Sequence, residues 1–390
     1  MAVDSFRMLP STHRSQDALR PIGRKPIPSR AAAPARQSSN VSRLLGNGPL
    51  DDPPPFHHKL LDYGERPYWS TDGKRIAFIE QSFRDVCEID LDTRRVRNLT
   101  RDLGDHHSFL RVLFLSNGDY LLIGPREFKN AKTSRQVESE LWWMDAAATI
   151  APRPLGRRIF EGAGVSTIAP RITYSMNGRH DQSLGRDDSF ECHVTELEYG
   201  PDGPRLGADR VIYRAEGGYQ PEPQDFRHGD REVIFAEYQL PPTLNPDDWR
   251  AVVKGAQVET GVVRTYIDEP RVHNECEGIF PDGEHCCLES SVDMPTGDRF
   301  TMKTRDLWKL KLDGSGRRVR MTRFYDRHPW LATNSNVSPD GRWLAFMVNL
   351  IDDPPGFGRG LGLLDLEAWG RSRDAERWEV PGSGPAVNGA

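Results

Sequence analysis

The chain has 390 residues and a formal net charge of −5, long enough for two or three ordinary domains or for one large repeat domain. That charge argues against a nucleic-acid partner, and no apolar run reaches membrane-crossing length or forms the core of a secretory signal. The 35 Gly, 30 Pro and 28% charged residues suit many short strands joined by turns. The five cysteines are an odd number, and adjacent Cys286 and Cys287 on a strand would face opposite ways. Reduced thiols and a cytoplasmic setting are therefore expected, with no membrane or nucleic-acid partner.

Residues 1–50 read as a disordered basic arm. Met1 to Arg43 carries eight Arg/Lys against Asp4 and Asp17, is rich in Ser, Ala and Pro, and has no periodicity. Such a segment also resembles an organellar targeting peptide, although Pro21, Pro26 and Pro28 oppose the amphipathic helix that role needs.

From residue 55 to residue 382 one phrase recurs, an Asp-Gly or similar turn followed by a strand-like run; residues 383–390 read as a flexible tail. Clear copies are Asp72-Gly73 before RIAFIE, Asp282-Gly283 before EHCCLES and Asp340-Gly341 before RWLAFMV. Weaker copies are centred on Gly118, Gly178 and Gly229, giving intervals of 45, 60, 51, 54 and 58 residues. A four-stranded propeller blade needs about 40–50 residues, with the excess going into loops. The first unit shows all four strands: Arg66–Ser70, RIAFIE, VCEIDLD and VRNLT. Third strands recur as ELWWMD (140–145), DLWKLKL (306–312) and GLLDLE (362–367), the second of these alternating apolar and polar residues. NPDDWRAVVKGAQ (245–257) is the best helical candidate. The expected fold is all-β: a single six-bladed β-propeller of four-stranded antiparallel blades, with turns near residues 73, 118, 178, 229, 283 and 341.

The strings YWSTDGKRIAFIE…EIDLDTRRVRNLT and NVSPDGRWLAFMVN resemble the TolB-type propeller repeat over residues 60–380. The resemblance implies a six-bladed ring, often closed by pairing strands from the two chain ends. Such propellers serve as scaffolds, peptidase gates and lyases, so it implies little about function. No Gly-x-Ser-x-Gly elbow accompanies the ring.

The first strand of a propeller blade lines the central channel, so the residues before each turn are the place to seek a site. His273, Glu275 and Glu277 precede the fifth turn at i, i+2 spacing, which aligns them on one face of an extended strand. Glu222 and Gln224 precede the fourth turn, and Asn334 and Asn336 the sixth. His106 and His107 stand ahead of the second, Arg171 in blade three, and Glu65 and Arg66 in blade one. Carboxylates held close together raise at least one pKa and suit acid–base chemistry. His273, Glu275 and Glu277 are thus the expected acid–base groups, and Glu222, Gln224, Asn334, Asn336, His107 and Arg171 the expected ligand-binding groups. The bland alternative is a water-filled channel lined by solvated side chains.

HNECEGIFPDG (273–283) also resembles a stretch of the intracellular oligogalacturonate lyases, propellers that hold a metal mainly through histidines. Glu277 and the Pro-Asp-Gly turn are kept. Cys276 stands where that family has a histidine, and Ala332–Asn336 where it has His-Pro-His-Pro. No His-x-His or His-x-x-x-His pair occurs. Three functions follow as expectations: a funnel that binds a small polar molecule and catalyses a lyase- or isomerase-type proton transfer, a scaffold for a protein partner, and a metal-dependent sugar-acid lyase. No cofactor is firmly implied; a divalent cation is the one these donors could hold.

Overall fold

The computed structural model describes residues 48–293, 305–354 and 356–379. The basic arm falls almost entirely outside them, as does the expected tail. The described residues form six antiparallel sheets, one per blade, each starting at the channel and running outward. The inner strands are Glu65–Trp69, Arg111–Phe114, Phe160–Val165, Gln220–Arg227, Asn274–Ile279 and Trp330–Val337. Blade six has as its outer strand His57–Leu61, which pairs with its third strand Leu361–Asp365. The ring is therefore closed by a strand that precedes blade one in sequence. That strand covers the edge of Leu361–Asp365 and ties the start of the ring to its last blade.

The turn residues explain the repeat. Gly73, Gly283 and Gly341 have φ of +69°, +69° and +73°, a region that glycine enters without a Cβ clash. The preceding aspartates accept from the backbone two residues on: Asp72 Oδ1 from Lys74 N (3.1 Å), Asp282 from Glu284 N (2.8 Å) and Asp340 from Arg342 N (3.0 Å). Ser70 and Ser338 complete the device by donating to Asp72 and Asp340, both at 2.6 Å.

Alternation then fills the spaces between blades. In Arg75–Ile79, Ile76 and Phe78 pack toward blade six, whereas Ala77 and Ile79 pack toward blade two. Every pair of neighbouring blades shares such an apolar cluster, so the core is a set of wedges rather than one centre. All five cysteines are buried and unbridged; Cys286 and Cys287 fall into different clusters, as alternation requires.

Two expectations are corrected. Gly178 does not follow an inner strand. It joins the second strand of blade three, Arg171–Asn177, to the third, Phe190–Gly200. A Cβ there would lie 2.2 Å from the Arg186 carbonyl, so this glycine serves a close backbone approach rather than a left-handed turn. The true inner turn of blade three is Ser166–Pro170, without Asp-Gly. Blade three also has a fifth strand, because its long third strand pairs with Gly203–Leu206 along one half and with Arg210–Arg214 along the other. The helical candidate at 245–257 is instead a single 3-10 turn, Pro246–Asp248, followed by the strand Arg250–Gln257. Ala251 and Val253 of that strand point into one inter-blade cluster and Ala256 into the next, and this burial overrides helical propensity.

Candidate functional site in the funnel

Five of the six inner strands break register where they face the channel: at Glu65/Tyr68, Phe160/Ala163, Pro223/Asp225, Cys276/Gly278 and Thr333/Asn336. A bulge inserts an unpaired residue and re-aims its side chain. The residues inside these breaks include Arg66, Glu161, Gln224, Glu277 and Asn334. Three of them have positive φ, at +52° (Arg66), +34° (Glu161) and +46° (Asn334), a strained conformation typical of functional sites. Arg111 opens the one unbulged inner strand.

Of these, Arg66, Arg111, Glu161 and Asn334 line a pocket of about 260 Å³, together with Glu222, Tyr238, Glu275 and two arginines from outside the inner strands. Arg135 arrives on the short helix Ala131–Gln136, inserted between two strands of blade two and capped by Asn130. Arg305 immediately precedes the third strand of blade five. Below the pocket, Arg66, Tyr68, Arg111, Asp225 and Glu277 crowd the throat, leaving about 30 Å³, the room of about one water. The funnel is narrow at its base, unlike a wide solvated channel.

The acids fall into two states. His273 Nε2 lies 3.0 Å from Glu275 Oε2, and Arg305 Nη1 lies 3.2 Å from the same nitrogen and 3.6 Å from the carboxylate. Burial alone would raise the Glu275 pKa, but His273, Arg305 and a hydrogen bond with Tyr238 together hold it down at about 2. Glu222 has no such partner. Burial, then the charges of Glu161 and Glu275, push its pKa well above the carboxylate range, against the pull of Arg111 and Arg135. Glu277 is also pushed well up, by burial and by Glu289 and Glu275; its Oε1 accepts from Asn334 Nδ2 at 3.2 Å. The surroundings thus favour the protonated form of Glu222 and Glu277 and the ionised form of Glu275.

The arginines differ as sharply. Arg305 is ion-paired with Glu289 at 2.8 Å, and Arg135 with Glu161. Arg66 reaches only Glu161, at 4.0 Å, and its Nε and Nη1 are buried with no hydrogen-bond partner among the described residues. Arg111 Nε is buried and unpartnered in the same way.

The sequence-derived residues are only partly brought together. Glu222 and Glu275 line the pocket; Gln224, Glu277 and Asn336 line the throat, and Asn334 lines both. Asn336 is committed to joining blades six and one, since its Oδ1 accepts from Trp69 N (2.9 Å) and its carbonyl from Trp69 Nε1 (3.0 Å). His273 is fully buried and lines neither space, so it positions Glu275 rather than meeting a ligand. His107 lies elsewhere, with Nδ1 2.7 Å from Asp85. Arg171 sits on a second strand, paired with Glu196 at 2.6 Å and Asp230 at 3.7 Å. Sequence reasoning missed Arg111, Arg135, Arg305, Glu161, Tyr238 and Glu289. Of these, only Arg111 had a usable signal, as the first residue of the strand before Gly118.

One His/acid group among the described residues has metal-ligand spacing: His273, Glu275 and Glu289, with ligand atoms within 4.8 Å of one another. The residues do not fit a cation there, because the Arg305 guanidinium already lies among them as the counter-charge. Cys276, at the histidine position of the lyase-like stretch, points into the core between blades four and five.

No family model matches the chain, and no curated protein matches it. Among solved structures it is similar to a protein described as TolB from Agrobacterium tumefaciens, at 14% identity over 75% of this chain and 86% of that one (TM-score 0.49). It is also similar to a gluconolactonase from Xanthomonas campestris, at 12% identity over 79% and 89% (TM-score 0.46). An oligogalacturonate lyase from Vibrio parahaemolyticus gives 11% identity over 80% and 93% (TM-score 0.41). Both resemblances carried by the sequence are present among these neighbours, and the likeness is one of fold.

Proposed function

We propose that the funnel binds a small polar molecule and exchanges a proton with it, as a lyase or isomerase does. The observation that carries this reading is a single pocket lined by both Glu222 and Glu275, whose surroundings push the first pKa up and the second down. Environments that drive two neighbouring carboxyls apart in pKa mark an acid and an anion with separate roles. Glu222 is the proton donor at the mouth. Glu275, too weak a base for efficient proton abstraction, orients the ligand and stabilises developing positive charge. Glu277 is a second proton-bearing group, one step deeper. His273 and Arg305 keep Glu275 ionised.

The test is Glu222→Gln, which keeps the shape and removes the transferable proton. Wild type and variant are screened with a panel of small hydroxy, keto and amino compounds, reading binding by thermal shift and turnover by NMR. Binding retained with turnover lost supports the reading. A panel with neither binding nor turnover on wild type counts against it.

A second reading has its own observation. On the opposite face, the inner turns surround a cavity of about 420 Å³ beside Phe280, Pro281 and Pro339, and Ile168 at its rim is 67% exposed. A protein partner docked there would make the ring a scaffold. Ile168→Asp would then abolish the partner's binding while leaving funnel ligands unaffected.

A further inference from the structure

The acid–base reading leaves two funnel groups without a task. Arg66 and Arg111 converge on the pocket from blades one and two with their Nε groups buried and unpartnered. The Arg66 side chain is 7% exposed. A buried guanidinium is ordinarily paired, because desolvating its charge and its donors without compensation costs several kcal/mol. Arg66 is instead crowded by its own kind. A Cβ at Gly356 would stand 2.7 Å from Arg66 Nη2 and 2.9 Å from Arg135 Nη2, so two guanidiniums reach the same glycine, which has φ of +80°.

The surrounding carboxylates favour the charge of Arg111, but the close ion pairs around the pocket are made by other arginines. Glu161 is engaged by Arg135, and Glu275 and Glu289 by Arg305. Glu222 makes no ion pair within 4.0 Å among the described residues, and burial pushes its pKa well up. Among the described residues Arg66 is thus left with the long Glu161 contact as its single ion pair, and Arg111 makes none within 4.0 Å.

We propose that Arg66 and Arg111 together form the seat for the carboxylate of a small organic acid, whose remaining polar group then faces Glu222 and Glu275. This assignment rests on the funnel being a ligand site. A planar carboxylate matches the fork of donors on a guanidinium. The pocket of about 260 Å³ has room for a small molecule.

Glycolate, glycolamide, glycerol and inorganic phosphate, at matched ionic strength and pH 7, are titrated into the full chain and followed by calorimetry and thermal shift. The variants are Arg66→Met, Arg111→Met and Arg66→Lys, the last keeping the charge without the fork. Expected are glycolate binding in the millimolar range, at least tenfold weaker binding in either Met variant, an intermediate loss in the Lys variant and no response to glycolamide. Equal binding of glycolate and glycolamide, glycolate binding that survives both Met substitutions, or phosphate binding tighter than glycolate would each overturn the carboxylate assignment. Glycerol binding that Glu222→Gln abolishes, with no glycolate response, would leave the funnel as a ligand site and overturn only this inference. No response to any of the four would count against both.

Discussion

Replacing Arg66 by Met is expected to stabilise the free protein, the reverse of what removing a buried charged side chain usually does. Burial, followed by the neighbouring charges of Arg111 and Arg135, holds the Arg66 pKa down at about 9 from 12.5, against the pull of Glu161 and Glu277. At about 1.36 kcal/mol per pH unit, the charged form is disfavoured in the folded state by at most about 5 kcal/mol. The substitution removes that penalty, keeps most of the aliphatic stem and loses only the long 4.0 Å contact with Glu161, which retains Arg135. Allowing for relaxation around a new thioether, a net gain of about 2–3 kcal/mol is expected. With an unfolding entropy near 2.1 cal/mol/K per residue over the ring, this raises Tm by about 3–4 °C. The sign with pH is also fixed. Between pH 9 and 12.5 the unfolded chain binds more protons than the folded one, so the penalty is full below pH 9 and lifts above it. Urea denaturation at pH 7 and pH 10 measures both effects, and the advantage of the variant should shrink at pH 10. A variant less stable than wild type by 2 kcal/mol or more at pH 7 would show that Arg66 is well paired, and would refute the reasoning.

Glu275→Gln should destabilise by about 2–4 kcal/mol in the same assay, because it leaves Arg305 and His273 without part of their counter-charge. Glu222→Gln should change stability by less than about 1 kcal/mol, since it replaces a carboxyl whose burial favours the neutral form. Burial raises the pKa values of both Asp225, in the throat, and Glu65 to about 7. The stability these groups contribute is full below their unfolded values near 4 and is lost as pH rises through about 7. Tm should therefore fall between pH 5 and pH 8, and Asp225→Asn should flatten that decline; an unchanged slope would rule out Asp225 as its source. Removing the chain through Leu61 strips blade six of its outer strand and bares Leu361–Asp365. Size-exclusion chromatography and thermal denaturation should then show association or a broadened, lower transition, and an unaltered monomer would contradict closure by that strand.

The ring was legible because its turns use strong local chemistry. An Asp that accepts from the backbone two residues on, followed by a left-handed Gly, is visible in sequence at 72–73, 282–283 and 340–341. Blade three was misplaced for the same reason, since its inner turn lacks Asp-Gly and Gly178 offered a decoy one strand later. The i, i+2 rule correctly paired His273 with Glu275, and it revealed neither that His273 stands behind its partner nor which residues face them. Bulges cause much of that gap, because an inserted residue resets alternation without a sequence marker, as at Arg66, Glu161 and Asn334. Arg135 and Arg305 lie outside the inner strands, which no strand-based rule can reach. Arg111 alone could have been found by applying the inner-strand rule evenly to blade two.

The most direct test of a funnel that holds a small acid is ligand capture. Purified wild-type protein and Arg66→Met are incubated with a small-metabolite extract, washed on a desalting column and denatured, and the released molecules are identified by mass spectrometry. A small carboxylic acid, enriched on wild type and absent from the variant, is the expected result. Indistinguishable profiles from the two proteins would contradict the account.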